Sequence, residues 1–155
     1  MALLIAVGVV AGARYGESMR VTMMLADAAQ EVNGKLYILG GGWSVTGPAL
    51  PPMALALKLD VPWSAANQEH EFVLALVDAD GHPVTVEGPD GEGEVRVGGT
   101  FEVGRPTGVP AGTDIDVPLA VTIGPLPLVA GRYTWQLWID GETREDWQRP
   151  FQVRV

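Results

Sequence analysis

Carboxylates are the one chemically versatile group that this chain supplies in quantity, with nineteen Asp and Glu against ten Lys and Arg, two His and no Cys. Asp78-Ala79-Asp80-Gly81 has the D-x-D-G opening of a calcium loop. Pro83 and Val84 then stand where further oxygen ligands, and later a bidentate Glu, would be needed. An Asp-Gly turn accounts for the same residues. Residues 87–94, EGPDGEGE, gather four acids among glycines around Asp90 and read as a solvated, flexible loop. A weak calcium site shared by the two turns, through Asp78, Asp80 and Asp90, is the sharper alternative. A third group, Asp140, Glu142, Glu145 and Asp146 with Arg144, fits the hairpin between the last two strands. Its spacing does not favour the facing carboxylates of glycoside hydrolysis. Asp27, inside the apolar run MMLADAA, is read either as a buried, hydrogen-bonded acid or as the start of a turn.

The other chemistries find less material. Gly42-Trp43-Ser44-Val45-Thr46-Gly47 resembles a G-x-S-x-G elbow, but its second glycine comes one residue late and no strand-to-helix switch follows. Ser44 is therefore an ordinary strand or turn residue. Gly40 to Gly42 lack the G-K-S/T ending of a phosphate loop and suggest backbone bending or close approach. His70 and His82 flank one strand and read as solvated turn residues, a paired metal site being the alternative. No catalytic residue, metal or cofactor is expected, and the chain does not read as an enzyme.

Composition narrows the partners. A net charge of −9 and a pI near 4.5 argue against binding nucleic acid through its phosphates, and against an anionic membrane surface. Without cysteine there is neither a disulfide framework nor a thiolate zinc site, and the redox compartment stays open. Length suits one domain. Residues 1–18, MALLIAVGVVAGARYGES, form an apolar N-terminal extension ahead of a single domain over 19–155. The run from Ala2 to Ala13 ends in an A-x-A-like pattern, but no Lys or Arg precedes it, and it is well short of the roughly 20 residues that span a bilayer. A secretory signal over residues 1–13 and an apolar arm docked on a partner are the alternatives, and Met19 is a plausible second start.

The elements that would position these groups are strands. Twenty glycines and twelve prolines favour short strands joined by turns. Period-two alternation recurs: Met53, Leu55, Leu57, Leu59 and Val61; Val95, Val97, Gly99, Phe101 and Val103; Ile115, Val117, Leu119, Val121 and Ile123. Pro118 in the last of these predicts a sheet edge or a bulge. EFVLALVD, residues 71–78, is apolar on both faces and predicts a central strand. Asn33-Gly34 predicts a hairpin, although DAAQEV before it could form a helical turn. Ser64 could cap one turn of helix through Asn67 and Gln68.

Near the C-terminus, Leu126, Gly131 and Tyr133 lead into Trp135, Leu137 and Ile139 in alternation, the pattern of a tyrosine corner. The class is all-β: an immunoglobulin-like antiparallel β-sandwich of about nine strands with at most one short helical turn. Tyr133, Trp135, Leu137 and Ile139 belong to the core. Trp138 faces the other way beside Thr134 and Gln136, covered by a neighbouring loop or exposed for binding. Trp43, Trp63 and Trp138 are the candidate interaction aromatics.

The segments MRVTMMLADAAQEVNGKLYILGGGWSVTGP, PMALALKLDVPW, HEFVLALVDADG and GRYTWQLWIDGE resemble an uncharacterised bacterial family of small β-sandwich proteins, a domain of unknown function. The resemblance runs from Met19 nearly to the C-terminus. It implies a stand-alone, cytoplasmic sandwich with no assigned catalytic residue. Two functions remain: a non-catalytic module that binds a protein partner or itself, and a carbohydrate- or calcium-binding domain using exposed Trp rings and loop carboxylates. Convergence of those rings beside Asp78, Asp80 or Asp90 separates the two. The identity of any small-molecule ligand stays open.

Overall fold

The computed structural model describes residues 19–155; the expected N-terminal extension, with its signal-like run, lies outside them. Strands follow in the order β1 (Arg20–Val32), β2 (Lys35–Gly41), β3 (Val45–Thr46), β4 (Met53–Val61), β5 (His70–Asp78), β6 (Thr85–Gly88), β7 (Gly91–Glu94), β8 (Arg96–Phe101), β9 (Ile115–Ile123), β10 (Gly131–Ile139) and β11 (Glu142–Val153). One sheet has the order β2-β1-β4-β9 and the other β3-β11-β10-β5-β8, with β6-β7 as a separate hairpin. Every named pair is antiparallel except β3, which runs parallel along the end of β11.

Alternation explains how the sheets face each other. In a strand, successive side chains point to opposite sides, so Leu55, Leu57 and Leu59 of β4 and Leu74 and Leu76 of β5 each project from one face. They meet Leu25, Trp135 and Leu137 in one buried cluster between the sheets. β5 lies between β10 and β8, as its two-sided apolarity requires. β9 lies at an edge, with Pro118 opposite Lys58. Proline, which has no N–H to donate, is tolerated on an edge strand and blunts unwanted pairing there.

The expected strand count was about nine, and the described residues form eleven. Residues 87–94, expected as a flexible loop, are instead mostly the β6-β7 hairpin, in register from Thr85 opposite Glu94 to Gly88 opposite Gly91. Backbone pairing sustains it with little burial, so it left no alternation to read. DAAQEV is the outer half of β1 rather than a helical turn. Asn33 and Gly34 turn the hairpin with φ of 51° and 78°, the left-handed conformations that this two-residue loop demands. The helical piece is a 3-10 turn, Trp63–Ala65, but its cap position is Pro62 and Ser64 lies inside it.

Asp27 is neither buried nor a turn. It is an exposed strand residue of β1, and its carboxylate fills the space where Gly40, at φ 60°, has no Cβ. His70 is also unlike the expected solvated turn residue, being only 6% exposed at the start of β5. His82 is exposed.

The Tyr133 hydroxyl donates to the Val129 carbonyl at 2.7 Å, which is the hydrogen bond of a tyrosine corner. Burial first, and the Asp78 charge second, push its phenol above the ordinary 10.0. Lys58 is raised above 10.5, chiefly by side-chain hydrogen bonds to Asp116 and then Asp60. Both groups lose their protons at lower pH in the unfolded chain, the lysine becoming neutral and the phenol charged. The stability they contribute is therefore complete below pH 10 and is lost as pH climbs through the folded-state values. The thermal midpoint should fall in that range. Tyr133→Phe should flatten the fall, while costing about 1 kcal/mol at neutral pH for the lost hydrogen bond. Melting scans from pH 7 to about 11 check both expectations, and equal alkaline slopes in variant and wild type would refute the phenol's part.

Candidate functional site

Two features of the surface stand out from the sandwich. The first is a groove on the outer face of the β11-β10-β5-β8 layer. Because β5 and β10 alternate, Glu71, Val73 and Ala75 point outward from one and Gln136 and Trp138 from the other. Register places Trp138 opposite Val73 and Gln136 opposite Ala75. Across β5, Gly98 lies opposite Val73 and Arg96 opposite Ala75. The row Trp138-Val73-Gly98 thus descends from an indole to no side chain at all.

Turn geometry closes one end of this trough. The Val84 N–H donates to the Leu76 carbonyl at 3.0 Å, and the Val95 N–H donates to Val84 at 2.9 Å. These bonds seat Gly81 and Pro83 against the end of β5. With Glu94 and Arg96 on the far wall, the cavity measures about 460 Å³, within the roughly 300–1,000 Å³ usual for small-molecule sites.

Other candidate residues are placed elsewhere. The three tryptophans do not converge. Trp43 packs edge-on against Phe151 at 6.2 Å, with its indole nitrogen buried and unpartnered. Trp63 lies on the 3-10 turn under the Arg105 guanidinium, 4.8 Å from the ring centre, and its carbonyl accepts from Arg105 Nη2 at 2.7 Å. Trp138 alone among them lines the groove. Asp78, Asp80 and His82 bring one ligand atom each within 4.8 Å of the others. Asp78 Oδ1 there accepts the N–H groups of Asp80 and His82, both at 2.9 Å, so a turn accounts for the gathering. Asp90 lies exposed in the β6-β7 turn.

The second feature is a ribbon. β4 pairs with β1 only over Arg20 to Ala26, and from Ala28 to Val32 the strand partner of β1 is β2 alone. The outer half of this hairpin thus extends past the paired part of the sheet. It carries Tyr37 57% exposed, Leu39 72%, Ile38 38% and Val32 39%. Sequence reasoning missed it because the hairpin reading of MMLADAAQEV and KLYILG, like the helical-turn alternative for DAAQEV, carries no sign of where the neighbouring strand stops pairing. The signal that could have revealed it is relative length: β1 has 13 residues and β4 only 9.

Residues 21–154 match the sequence profile of a family of unknown function, DUF6941. The chain belongs to that family. The DUF6941 assignment agrees with the resemblance read from the sequence and assigns no activity. Among curated proteins, none matches. A solved structure, Pseudomonas fluorescens alkylpurine DNA glycosylase AlkC bound to DNA containing an abasic site analog, aligns over 90% of this chain at 13% identity with a TM-score of 0.44. The DUF6941 chain spans 31% of that protein, and a likeness so low carries no argument about function. No helix among the described residues is long and apolar enough to cross a membrane.

Proposed function

We propose that this DUF6941 chain is a non-catalytic interaction module that associates with a second copy of itself through the β1-β2 ribbon. The observation that carries the reading is the state of the β2 edge. An exposed strand edge offers unpaired backbone donors and acceptors, which proteins usually blunt with proline, charge, bulges or brevity. β9 has Pro118, β3 is two residues long, and β8 has Arg96 with Gly98 and Gly99. β2 has seven residues, no proline and one charge at its start; its glycines, Gly40 and Gly41, come only at its end, after neighbouring apolar side chains on both faces.

Self-pairing suits this edge. Two antiparallel β2 strands centred on Ile38 set Tyr37 of each opposite Leu39 of the other, an aromatic-aliphatic pair of the kind that stabilises sheets. Repulsion is modest there. Residues 27–41 contain Asp27, Glu31 and Lys35, so the ribbon holds only one of the chain's nine net negative charges. An isolated two-stranded ribbon is also marginal in water, and a partner strand would brace it. The catalytic-looking groups support a non-catalytic role, since His70 and Asp78 are bonded into the fold.

Sedimentation velocity over a concentration series tests this. The expected result is a reversible, weak dimer, because one ribbon lies at the small end of interface sizes. Leu39→Lys, at a 72% exposed position, should abolish the dimer with less than about 0.5 kcal/mol change in stability. A wild-type chain that stays monomeric throughout, or a Leu39→Lys chain that dimerises as well as wild type, overturns the reading.

A further inference from the structure

The groove on the opposite sheet from the ribbon has no part in that association. We infer that it is a binding site for a neutral, hydroxyl-bearing ring, in chemical terms a saccharide without carboxylate or phosphate. The lining sets the class. Val73 and Ala75 make an apolar floor and Trp138 an aromatic wall, while Glu94, Arg96 and Gln136 bring polar groups to the same space. A purely apolar ligand would strip water from those polar groups and return no hydrogen bond. An anion would face Glu71 and Glu94 with only Arg96 to offset them, in a chain of net charge −9.

A sugar ring meets each requirement. Its hydroxyls both donate and accept, so one ligand serves a carboxylate that only accepts, a guanidinium that only donates and an amide that does both. Its C–H faces carry slight positive charge and are drawn to the electron-rich face of an indole. Arg96 is available for such contacts, because its ion pair with Glu94 spans 3.8 Å, beyond hydrogen-bond length, between side chains that are both half exposed. A pair so placed is weak and easily exchanged for ligand. The floor needs small side chains, and register supplies them: Ala75 opposite Arg96 and Gly98 opposite Val73. This is a site for one sugar residue on one tryptophan, unlike the three-ring platform that a convergence of Trp43, Trp63 and Trp138 would have built.

Titration of the whole chain with cellotriose, maltotriose, mannotriose and trigalacturonate, followed by two-dimensional amide and indole NMR, tests the inference. At least one neutral trisaccharide should shift the Trp138 indole signal and the amides of Val73, Ala75 and Gln136. Trigalacturonate should bind at least roughly tenfold more weakly than that one, a difference of about 1.4 kcal/mol. Trp138→Ala should weaken binding by at least roughly tenfold, the loss expected of a central aromatic anchor. Gln136→Ala, a smaller change on the same wall, gives a second reading should Trp138→Ala fold poorly, and should weaken binding measurably. Silence across all neutral probes, preference for the anionic one, shifts confined to another surface, or undiminished binding by folded variants overturns the assignment.

Discussion

Trp135→Ala is expected to remove about 3–5 kcal/mol of stability, the cost of emptying a large aromatic site that its surroundings cannot refill. Trp135 is 0% exposed and heads the fully buried side chains by size. It sits on β10 between Leu76 of β5 and Arg149 of β11, so both neighbouring strands hold the walls of the hole in place. Against a typical total of about 5–15 kcal/mol, that loss approaches unfolding. Trp135→Phe should cost clearly less. Phenylalanine keeps most of the ring volume and deletes an indole N–H that is buried without a partner, an atom whose desolvation already opposes folding. Urea unfolding of the two variants measures the difference. A cost below about 1 kcal/mol for Trp135→Ala would mean that the two sheets do not close on this residue. Trp138→Ala, on the half-buried outer face, supplies the contrast: its main effect should fall on ligand binding.

The contrast between these two tryptophans was already legible in the sequence. Three residues apart on a strand, they must face opposite ways, and GRYTWQLWI admits no other arrangement at period two. Apolarity on both faces placed β5 inside its sheet, Pro118 pointed to an edge or a bulge for β9, which lies at an edge, and the Leu126, Gly131 and Tyr133 pattern marked the corner. What alternation could not convey was anything decided by which strand lies beside which. The groove exists because the Gly81–Pro83 turn, Arg96 and Trp138 meet across three strands, and their sequence separations, up to nearly 60 residues, carry no trace of that meeting. The ribbon exists because β4 stops pairing where β1 continues. The β6-β7 hairpin was hard to read because Val86 is its only apolar side chain turned to the core, too little to set up an alternation.

Placement of the two surfaces on different sheets has a functional consequence. Pairing β2 to β2 would extend the β2-β1-β4-β9 sheet edge to edge, leaving the outer face of the β11-β10-β5-β8 sheet uncovered. A dimer would thus carry two grooves. Two linked sites raise apparent affinity for a repeating ligand without any new contact, provided the ligand can span them. Self-association and sugar recognition, if both hold, would therefore reinforce each other physically, and each is tested by its own variant.

His70→Ala is expected to cost about 2–4 kcal/mol, a large effect for a residue with no part in either surface. Its ring joins three pieces of the chain. Nδ1 lies 2.7 Å from Asp140 Oδ2, Nε2 lies 2.8 Å from the Ala65 carbonyl, and the ring stacks on Phe101 at 5.2 Å. Asp140 is itself held twice more, accepting the Glu71 N–H at 2.9 Å and donating its own N–H to the Glu71 carbonyl at 2.8 Å. The turn into β11 is thereby fixed to the start of β5 and to the 3-10 turn. His70→Phe should separate the contributions, because it keeps the stacked ring and loses both polar ties. Its cost should lie near 1–2 kcal/mol, about that of the hydrogen bonds. Asp140→Asn should cost less than Asp140→Ala, since Asp140 has a φ of 51° and asparagine accepts that left-handed conformation where alanine is strained. Chemical denaturation of His70→Phe, Asp140→Ala and the double variant closes the cycle. Coupling of at least about 0.5 kcal/mol is expected for residues in one network. Simple additivity would mean that the Nδ1 contact with Asp140 contributes nothing, leaving the Ala65 tie and the ring's packing to account for the cost.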